Sequence, residues 1–335
     1  MAAPTLLDRR LLIVTGKGGV GKSTVSAALA LLAAREGKRV LVCEVNAQER
    51  VAPLLGASLA GARTREAAPR ISTVNVTPHD AMREYGIMVL RFRAIYDAVF
   101  ENRLVRYFLR VVPGLGELVM LGKILYEARS EEEGRPRWDL VIVDAPSTGH
   151  AVQLLRVPAT LLQTVPAGPL RRDAEWMHAF LVDPARTAVA IVTLPEEMPV
   201  NEAIELDQQV RAVLGIHRVA LFVNAMPVTR FTPEEAARVA AWADDPPPLG
   251  PAAEAARLQA LRAQHAARDL ARARAALDLP TAVLPLVPTP AWGRSEVERI
   301  ATAIATFDWS AGPGGGAWLG ATGGIGGAAR PPEDE

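Results

Sequence analysis

A glycine-rich loop near the start of the chain constrains the fold more strongly than any other feature of the sequence. The loop follows an apolar run at 11–15 and precedes an Ala/Leu-rich segment of helical length at 25–36. It matches the pattern G-x-x-x-x-G-K-[ST] and consists of Gly16, Lys17, Gly18, Gly19, Val20, Gly21, Lys22, Ser23 and Thr24. Between a strand and a helix, such a loop turns backbone N–H groups toward phosphate oxygens at the positive end of the helix. The sequence therefore predicts a phosphate-binding loop; a glycine turn that binds nothing is the plainer alternative.

Short apolar runs rich in β-branched residues recur along the rest of the chain, and each ends in a polar or glycine-containing turn. Together with the run at 11–15, they lie at 40–45, 71–76, 140–144, 188–193, 219–223 and 282–287. Continuous apolar runs are typical of strands covered on both faces, and helical segments such as 201–214 separate several of them. The pattern predicts an α/β fold with a doubly wound, mostly parallel sheet of the P-loop NTPase type and helical insertions.

Three side chains are candidates for direct contact with a nucleotide and its metal ion. Lys22 is expected to reach the β- and γ-phosphates, and Ser23 is expected to ligate Mg²⁺. Asp144 closes the run at 140–144, where its carboxylate is placed to hold the hydration shell of the metal. An apolar run that ends in Asp is weak evidence by itself, because strand ends often carry Asp. Together with the loop, these residues predict ATP and Mg²⁺ as the bound molecules.

A second lysine, Lys17, directly follows the first glycine of the loop. This deviant form of the motif resembles the class that contains MinD, ParA, the nitrogenase iron protein and the ArsA-type ATPases. The resemblance implies a dimer in which Lys17 reaches the partner's nucleotide and stabilises transition-state charge there. A solvated loop lysine is the alternative.

The segment that follows Asp144 carries a closer resemblance. It reads D-A-P-S-T-G-H followed by Q-L-L-R-V-P, and it is similar to D-T-A-P-T-G-H and R-x-L-x-x-P in switch II of the ArsA family of arsenite-pump and tail-anchored-protein-targeting ATPases. The matching residues are Asp144, Thr148, Gly149, His150, Leu155 and Pro158; the departures are Ala145, Pro146, Ser147 and Gln153. The resemblance implies an ATPase that cycles between open and closed dimers and passes the change to a partner or client protein. The dimer is expected to be either a homodimer or a heterodimer with a related ATPase.

Residues of the second half of the chain extend this resemblance to the nucleobase. Asn224 follows the run at 219–223, where the family uses Asn to read adenine, and an amide suits the paired donor and acceptor of adenine. Leu286 and Val287 are expected on the opposite wall of the base pocket. A turn-forming role is the alternative for Asn224.

Switch I is where the sequence departs from the family. The family pattern S-T-D-P-A-H-N contains an Asp that positions the attacking water, and Asn46 stands at that place in this chain. An amide orients a water by hydrogen bonding but does not accept its proton, so hydrolysis is expected to be slow unless Glu44 or Glu49 substitutes. A regulatory subunit that binds nucleotide and pairs with a catalytic relative is the second hypothesis.

Two stretches interrupt the alternation of strands and helices. Residues 78–135 show helical periodicity and no strand pattern, and residues 232–277 are rich in Ala, Arg and Glu. Both are predicted to be helical insertions in one ATPase domain at 1–310, followed by a disordered Gly-rich tail at 311–335. Apolar side chains between 82 and 127 predict either a client groove or the core of the first insertion.

The composition narrows the remaining classes. Lys and Arg total 37, as do Asp and Glu, so the formal net charge is zero and there is no strong nucleic-acid or membrane signal. A ParA-like role in DNA partition is therefore weakened, although a basic patch on one face would keep it open. The only cysteine is Cys43, which argues against a thiol site for arsenite and a C-x-x-C zinc site. Without a bilayer-spanning run or a secretion signal, a cytoplasmic location is expected.

Overall fold

The computed structural model of the chain describes residues 6–90, 114–228 and 230–309, and its centre is an eight-stranded β-sheet. The strands in this part of the chain are β1 Leu11–Gly16, β2 Val40–Val45, β3 Arg65–Ala68, β4 Ile71–Val76, β5 Glu131–Glu132, β6 Arg135–Pro136, β7 Leu140–Ser147, β8 Thr187–Thr193, β9 Arg218–Met226 and β10 Thr281–Pro285. In the large sheet the order is β10-β9-β8-β1-β7-β2-β4-β3, and every neighbouring pair except β3–β4 is parallel.

Helices cover both faces of the sheet. They are α1 Lys22–Arg35, α2 Val51–Leu54, α3 Pro78–Leu90, α4 Leu115–Arg129, α5 Thr148–Thr164, α6 Pro169–Val182, α7 Glu197–Gln209 with a π-helical turn at Val210–Leu214, α8 Pro233–Ala240, α9 Leu249–Leu277 and α10 Arg294–Ala305. Helices α1, α2 and α10 share an apolar core with one face, and α4, α5, α6, α7 and α9 share a second core with the other. This arrangement confirms the predicted doubly wound, mostly parallel α/β fold.

The strand order places the glycine-rich loop at a defined edge of the sheet. Strand β1 lies between β7 and β8, and every residue of it is buried. Because the strands on both sides are parallel to β1, the segments that follow β1, β2, β7, β8, β9 and β10 leave the sheet at the same edge. The carboxyl ends of strands in such sheets are where ligands bind.

Three short strands were not expected from the sequence. Strand β3 has the sequence R-E-A-A and pairs antiparallel at the edge of the sheet, so it lacks the apolar run by which a buried strand is recognised. Strands β5 and β6 form a small charged hairpin within 78–135, where no strand was predicted, and that prediction was wrong for 131–136. Glu133 and Gly134 connect them with φ values of 54° and 74°, as a tight hairpin turn requires.

Apart from the hairpin of β5 and β6, the secondary structure in the described residues of the two predicted insertions is helical. Helices α3 and α4 flank a stretch that lies outside the described residues, while Met82 and Met120 pack against the core rather than line a groove. Helices α8 and α9 flank Pro246–Pro248, and α8 begins with a capping box between Thr232 and Glu235. The tail at 311–335 also lies outside the described residues, and the division into domains stays a prediction. Across 6–90, 114–228 and 230–309, no helix has the length and apolarity that a membrane crossing requires.

Candidate nucleotide-binding site

The glycines of the loop lie in different surroundings. Gly16 has a φ of 154°, and a Cβ there would lie 2.1 Å from the carbonyl oxygen of Val192 on β8, so this glycine lets the loop start against the sheet. Gly18 and Gly19 are open, with no atom within 4 Å of an added Cβ, and Gly19 has a φ of 86°. The outer part of the loop therefore leaves its backbone accessible to a ligand, while Gly16 and the buried Val20 fasten it to the protein.

Lys22 is the first residue of α1 and folds back over the loop. Its Nζ donates a hydrogen bond to the carbonyl oxygen of Lys17 at 3.0 Å. Burial lowers the pKa of Lys22, and the negative charge of Asp144 opposes this shift. A partly desolvated ammonium group beside open backbone N–H groups is a strong attractor for a polyphosphate chain. Thr24, in the first turn of α1, is half-buried.

Ser23 and Asp144, the two candidate metal residues, meet across the loop. Ser23 Oγ donates to Asp144 Oδ2 at 2.6 Å, and Ser26 Oγ donates to Asp144 Oδ1 at 3.2 Å. Asp144 is only 6% exposed; burial raises its pKa, whereas the Ser23 hydrogen bond and the charge of Lys22 lower it. A hydroxyl and a carboxylate side by side are the oxygen donors that Mg²⁺ prefers, so these residues fit the metal. Asp144 lies inside β7 rather than at its end, because the strand continues to Ser147.

Asn224, on β9, contacts the glycine-rich loop. Its Nδ2 donates to the carbonyl oxygen of Val20 at 2.9 Å. A Cβ added to Gly21, whose φ is 92°, would lie 2.2 Å from the same Nδ2. The side chain of Asn224 therefore occupies the space that glycine leaves free, and it lies against the phosphate-binding loop.

A pocket of about 610 Å³ opens at the carboxyl ends of β8, β9 and β10. Its lining comprises Leu194, Pro195, Glu196, Glu197, Ala225, Pro227, Arg262, His265, Ala266, Arg268, Asp269, Arg272 and Leu286. Leu286 lines this pocket, whereas Val287, which was expected on the same wall of a base pocket, is 3% exposed and packs in the core with α10. The residues from α9 were not predicted, because no motif marks them and only the packing of α9 brings them to this edge.

The three candidate switch I residues lie in three different environments. Asn46 is exposed at the end of β2, has a φ of 46°, and donates its backbone N–H to the carbonyl oxygen of Val76. Glu49 accepts hydrogen bonds at both carboxylate oxygens, from the backbone N–H groups of Ala60 and Gly61 at 2.6 and 2.8 Å. Glu49 is therefore engaged in holding a turn.

Glu44 is buried, in contrast to its two neighbours in the candidate switch. It is 1% exposed, and its Oε1 accepts from the backbone N–H groups of Arg50 and Val51 at 2.6 and 3.2 Å. Burial raises its pKa to about 7; those two hydrogen bonds oppose the shift, and the charges of Asp144 and Glu49 add to it. A buried carboxyl group that titrates near neutrality is a feature of functional sites.

Lys17 forms an ion pair within its own chain. Its Nζ lies 2.6 Å from Glu202 Oε1 on α7, and each of the two side chains is about one-third exposed. Glu202 was not singled out in the sequence, where nothing marks it among the charged residues of a helix. The pair holds the deviant lysine against the neighbouring helix.

A helix begins directly after the last residue of β7, Ser147. Thr148 is the first residue of α5, and its Oγ1 is buried without a hydrogen-bond partner among the described residues. Ser147 Oγ lies 3.5 Å from His150 Nδ1, and a Cβ on Gly149 would meet nothing within 4 Å. The helix continues through Pro158, whose ring is buried.

Comparison with known proteins agrees with this geometry. Residues 9–167 match the profile of the ArsA-type anion-transporting ATPases. The ATPase BagA of Mycobacterium tuberculosis is 29% identical over 297 residues, covering 84% of this chain and 87% of that protein. The arsenical pump-driving ATPase of Acidiphilium multivorum is 25% identical over 255 residues, which are 69% of this chain and 42% of that protein. The ATPase GET3 of Kluyveromyces lactis is 26% identical over 165 residues, 47% of either chain.

The segment matched to the family contains the glycine-rich loop, the candidate switch I and Asp144, which are the residues that the fold gathers at the carboxyl edge of the sheet. The three relatives described above are named as ATPases. Residues 9–167 therefore carry the pattern of the ArsA-type ATPase family, on a mostly parallel α/β sheet of the P-loop type.

Proposed function

We propose that this protein binds ATP with Mg²⁺ at residues 16–24 and hydrolyses it. The observation that carries the proposal is the Ser23–Asp144 hydrogen bond of 2.6 Å beside an open glycine loop and the partly desolvated Lys22. In this arrangement Lys22 binds the β- and γ-phosphates, Ser23 ligates the metal and Asp144 orients its hydration shell. Bound Mg²⁺ supplies charge neutralisation at the transferred phosphate.

The adenine is proposed to lie between Asn224 and Leu286. The Nδ2 group of Asn224 already donates to the loop at Val20, so its Oδ1 serves as an acceptor for the exocyclic amine of adenine. Leu286 is 48% exposed at the mouth of the pocket and offers an apolar surface to a ring. Val287 supports this wall from the core rather than touching the base.

Lys17 is proposed to act on the nucleotide of a second subunit. Its ion pair with Glu202 is partly exposed, and such pairs contribute at most about 1 kcal/mol. A triphosphate in the partner's loop competes with a single carboxylate for this lysine, because it presents several negative charges. The resulting exchange of partners favours the closed dimer only when nucleotide is bound.

The cycle of the dimer is proposed to act on a partner protein. The insertion that contains α3 and α4 packs on the same face of the sheet as α5, the helix that begins at Thr148 four residues after Asp144. A change at the γ-phosphate therefore has a short structural path to the insertion. The partner is a related ATPase or an identical chain, and the client is a protein; the one buried thiol, Cys43, is compatible with a cytoplasmic location.

A second candidate function is that of a regulatory subunit that binds nucleotide without useful hydrolysis. The exposed Asn46 in place of the expected Asp favours it, since an amide does not take the proton of the attacking water. In this case a catalytic relative supplies turnover, and this chain contributes Lys17 across the interface.

Steady-state ATP hydrolysis of the purified chain separates the two functions. An ATPase is expected to turn over in the wild-type form, with the rate abolished in Lys22→Ala, which serves as the blank. A regulatory subunit is expected to show no turnover above that blank and to gain it in Asn46→Asp. Wild-type turnover that persists in Lys22→Ala would contradict the proposed site altogether.

A further inference from the structure

Glu44 occupies a position in the sheet directly beside the candidate metal site. It lies on β2, and its Cα is in register with that of Asp144 on the adjacent parallel strand β7. Residues in register on neighbouring strands extend their side chains to the same face of a sheet. The face is that of α1, because Asp144 accepts hydrogen bonds from Ser23 and Ser26 on that helix.

The two carboxylate oxygens of Glu44 are used unequally. Oε1 accepts both backbone N–H groups at the start of α2, those of Arg50 and Val51. Oε2 is fully buried and has no hydrogen-bond partner among the described residues. Leaving a buried carboxylate oxygen unpaired is costly, so such an atom indicates a missing partner.

The partner of Oε2 is not explained by a capping role alone. Capping the short helix α2 requires one oxygen, which Oε1 already provides. Glu49, two residues from the same helix, shows the fully satisfied arrangement, since both of its oxygens accept backbone N–H groups. The unpaired oxygen of Glu44 therefore sets it apart from its neighbour, and it lies on the face where the metal is proposed to bind.

We propose that Glu44 is a second carboxylate of the magnesium site, whose Oε2 accepts from a water of the metal's hydration shell. The inference rests on the function proposed above. It assigns to Glu44 a positioning role, since hydration-shell partners orient a metal without ligating it. Through Oε1, the same side chain fastens the residues that follow Asn46, so the metal and the candidate switch I share one carboxylate.

The test is the Mg²⁺ dependence of ATP-analogue binding, measured by calorimetry with a non-hydrolysable analogue in excess Mg²⁺ and in EDTA. In the wild-type chain, Mg²⁺ is expected to increase the affinity. In Glu44→Gln, which keeps the shape and one acceptor, this Mg²⁺-dependent gain is expected to fall by about 10-fold or more, with the affinity in EDTA unchanged.

Glu49→Gln is the matched control. It removes a carboxylate charge from the same segment, and both oxygens of that carboxylate accept hydrogen bonds from a turn. Its Mg²⁺-dependent gain is expected to equal that of the wild type. Equal gains in wild type and Glu44→Gln would overturn the role of Glu44 and leave the nucleotide site intact, whereas a wild-type chain that binds no analogue would overturn the site itself. If Glu44→Gln does not fold, Glu44→Asp provides the same measurement, since it keeps the charge and withdraws the carboxylate by one methylene group.

Discussion

The carboxyl ends of β1 and β2 lie at the same edge of one sheet but differ in how closely they follow the family pattern. After β1, the loop residues match the expected motif, and Lys22, Ser23 and Asp144 contact one another or the loop. After β2, the expected Asp is replaced by the exposed Asn46, and the buried acid Glu44 lies two residues earlier. The loop after β1 thus keeps the family pattern while the segment after β2 departs from it, so the proposed nucleotide binding and the proposed hydrolysis can be tested by separate variants.

The two segments also differ in how they are held. The backbone of the loop after β1 lies so close to its neighbours that a Cβ at Gly16 would overlap β8 and a Cβ at Gly21 would overlap Asn224. The segment after β2 is fastened by the hydrogen bonds of two carboxylates, Glu44 and Glu49, to backbone N–H groups. A close backbone approach is insensitive to pH, whereas hydrogen bonds to a carboxylate depend on its protonation state.

Gly16→Ala is expected to have the largest effect, since it adds a Cβ where the backbone of the loop lies closest to β8. The new Cβ would lie 2.1 Å from the carbonyl oxygen of Val192 at a φ of 154°, so we expect the free energy of unfolding to fall by about 4 kcal/mol. Urea unfolding measures the change. Gly18→Ala is the control and is expected to leave stability nearly unchanged, because its Cβ meets nothing within 4 Å. Equal stabilities of the two variants would contradict the packing of the loop on β8.

Glu44→Gln tests the pH sensitivity of the segment after β2. The pKa of Glu44 is about 7 in the folded chain and near 4.5 when unfolded, so the native state favours the protonated form. The free energy of unfolding of the wild type therefore falls as the pH rises through 7. Between pH 4 and pH 8, the free energy of unfolding of Glu44→Gln is expected to rise by about 3 kcal/mol relative to that of the wild type. Asp144 titrates in both proteins, so the difference between them reports the titration of Glu44 together with its electrostatic coupling to Asp144. Urea unfolding in EDTA across this range measures it, and parallel pH profiles would refute the shift.

Lys22→Ala tests the phosphate side of the comparison. The variant loses a charge-assisted contact to the phosphates, and we expect the ATP affinity to fall by about 100-fold, or about 2.7 kcal/mol. Calorimetry at fixed Mg²⁺ measures the change. Lys38→Ala is a control with the same substitution, because Lys38 contacts Leu7 and Asp8, away from the loop. The ATP affinity of this variant is expected to match that of the wild type. Unchanged affinity in Lys22→Ala would remove the site.

Glu202→Gln has the smallest expected effect. Releasing Lys17 from its partly exposed ion pair is expected to strengthen nucleotide-dependent dimerisation by about threefold, because such pairs contribute only a few tenths of a kcal/mol. Sedimentation velocity with an ATP analogue and Mg²⁺ measures the dimer. Lys17→Ala is expected to prevent dimerisation under the same conditions. A dimer that weakens in Glu202→Gln would show that the carboxylate serves the interface rather than competing with it.

Much of the fold followed from local patterns, with identifiable exceptions. The buried strands of the parallel sheet were predicted because an apolar run is continuous when helices cover both faces. Strand β3 and the hairpin of β5 and β6 were missed because edge strands and exposed hairpins need no apolar run. Strand β7 was predicted three residues too short, since D-A-P-S reads as a turn although pairing with β1 extends the strand.

The amino-acid sequence by itself determined the glycine-rich loop, the fold class and the resemblance to the ArsA-type family, because these depend on residues adjacent in the chain whose spacing is the physical requirement. The tertiary structure decided which distant side chains meet. It brought Ser23 to Asp144, Lys17 to Glu202 and Asn224 to Val20, contacts that span 121, 185 and 204 positions along the chain. It also decided that Glu44 is buried, with one oxygen that has no hydrogen-bond partner in the part of the chain that the structure describes, because burial arises from the register of β2 against β7 and the position of α2, which no local pattern encodes.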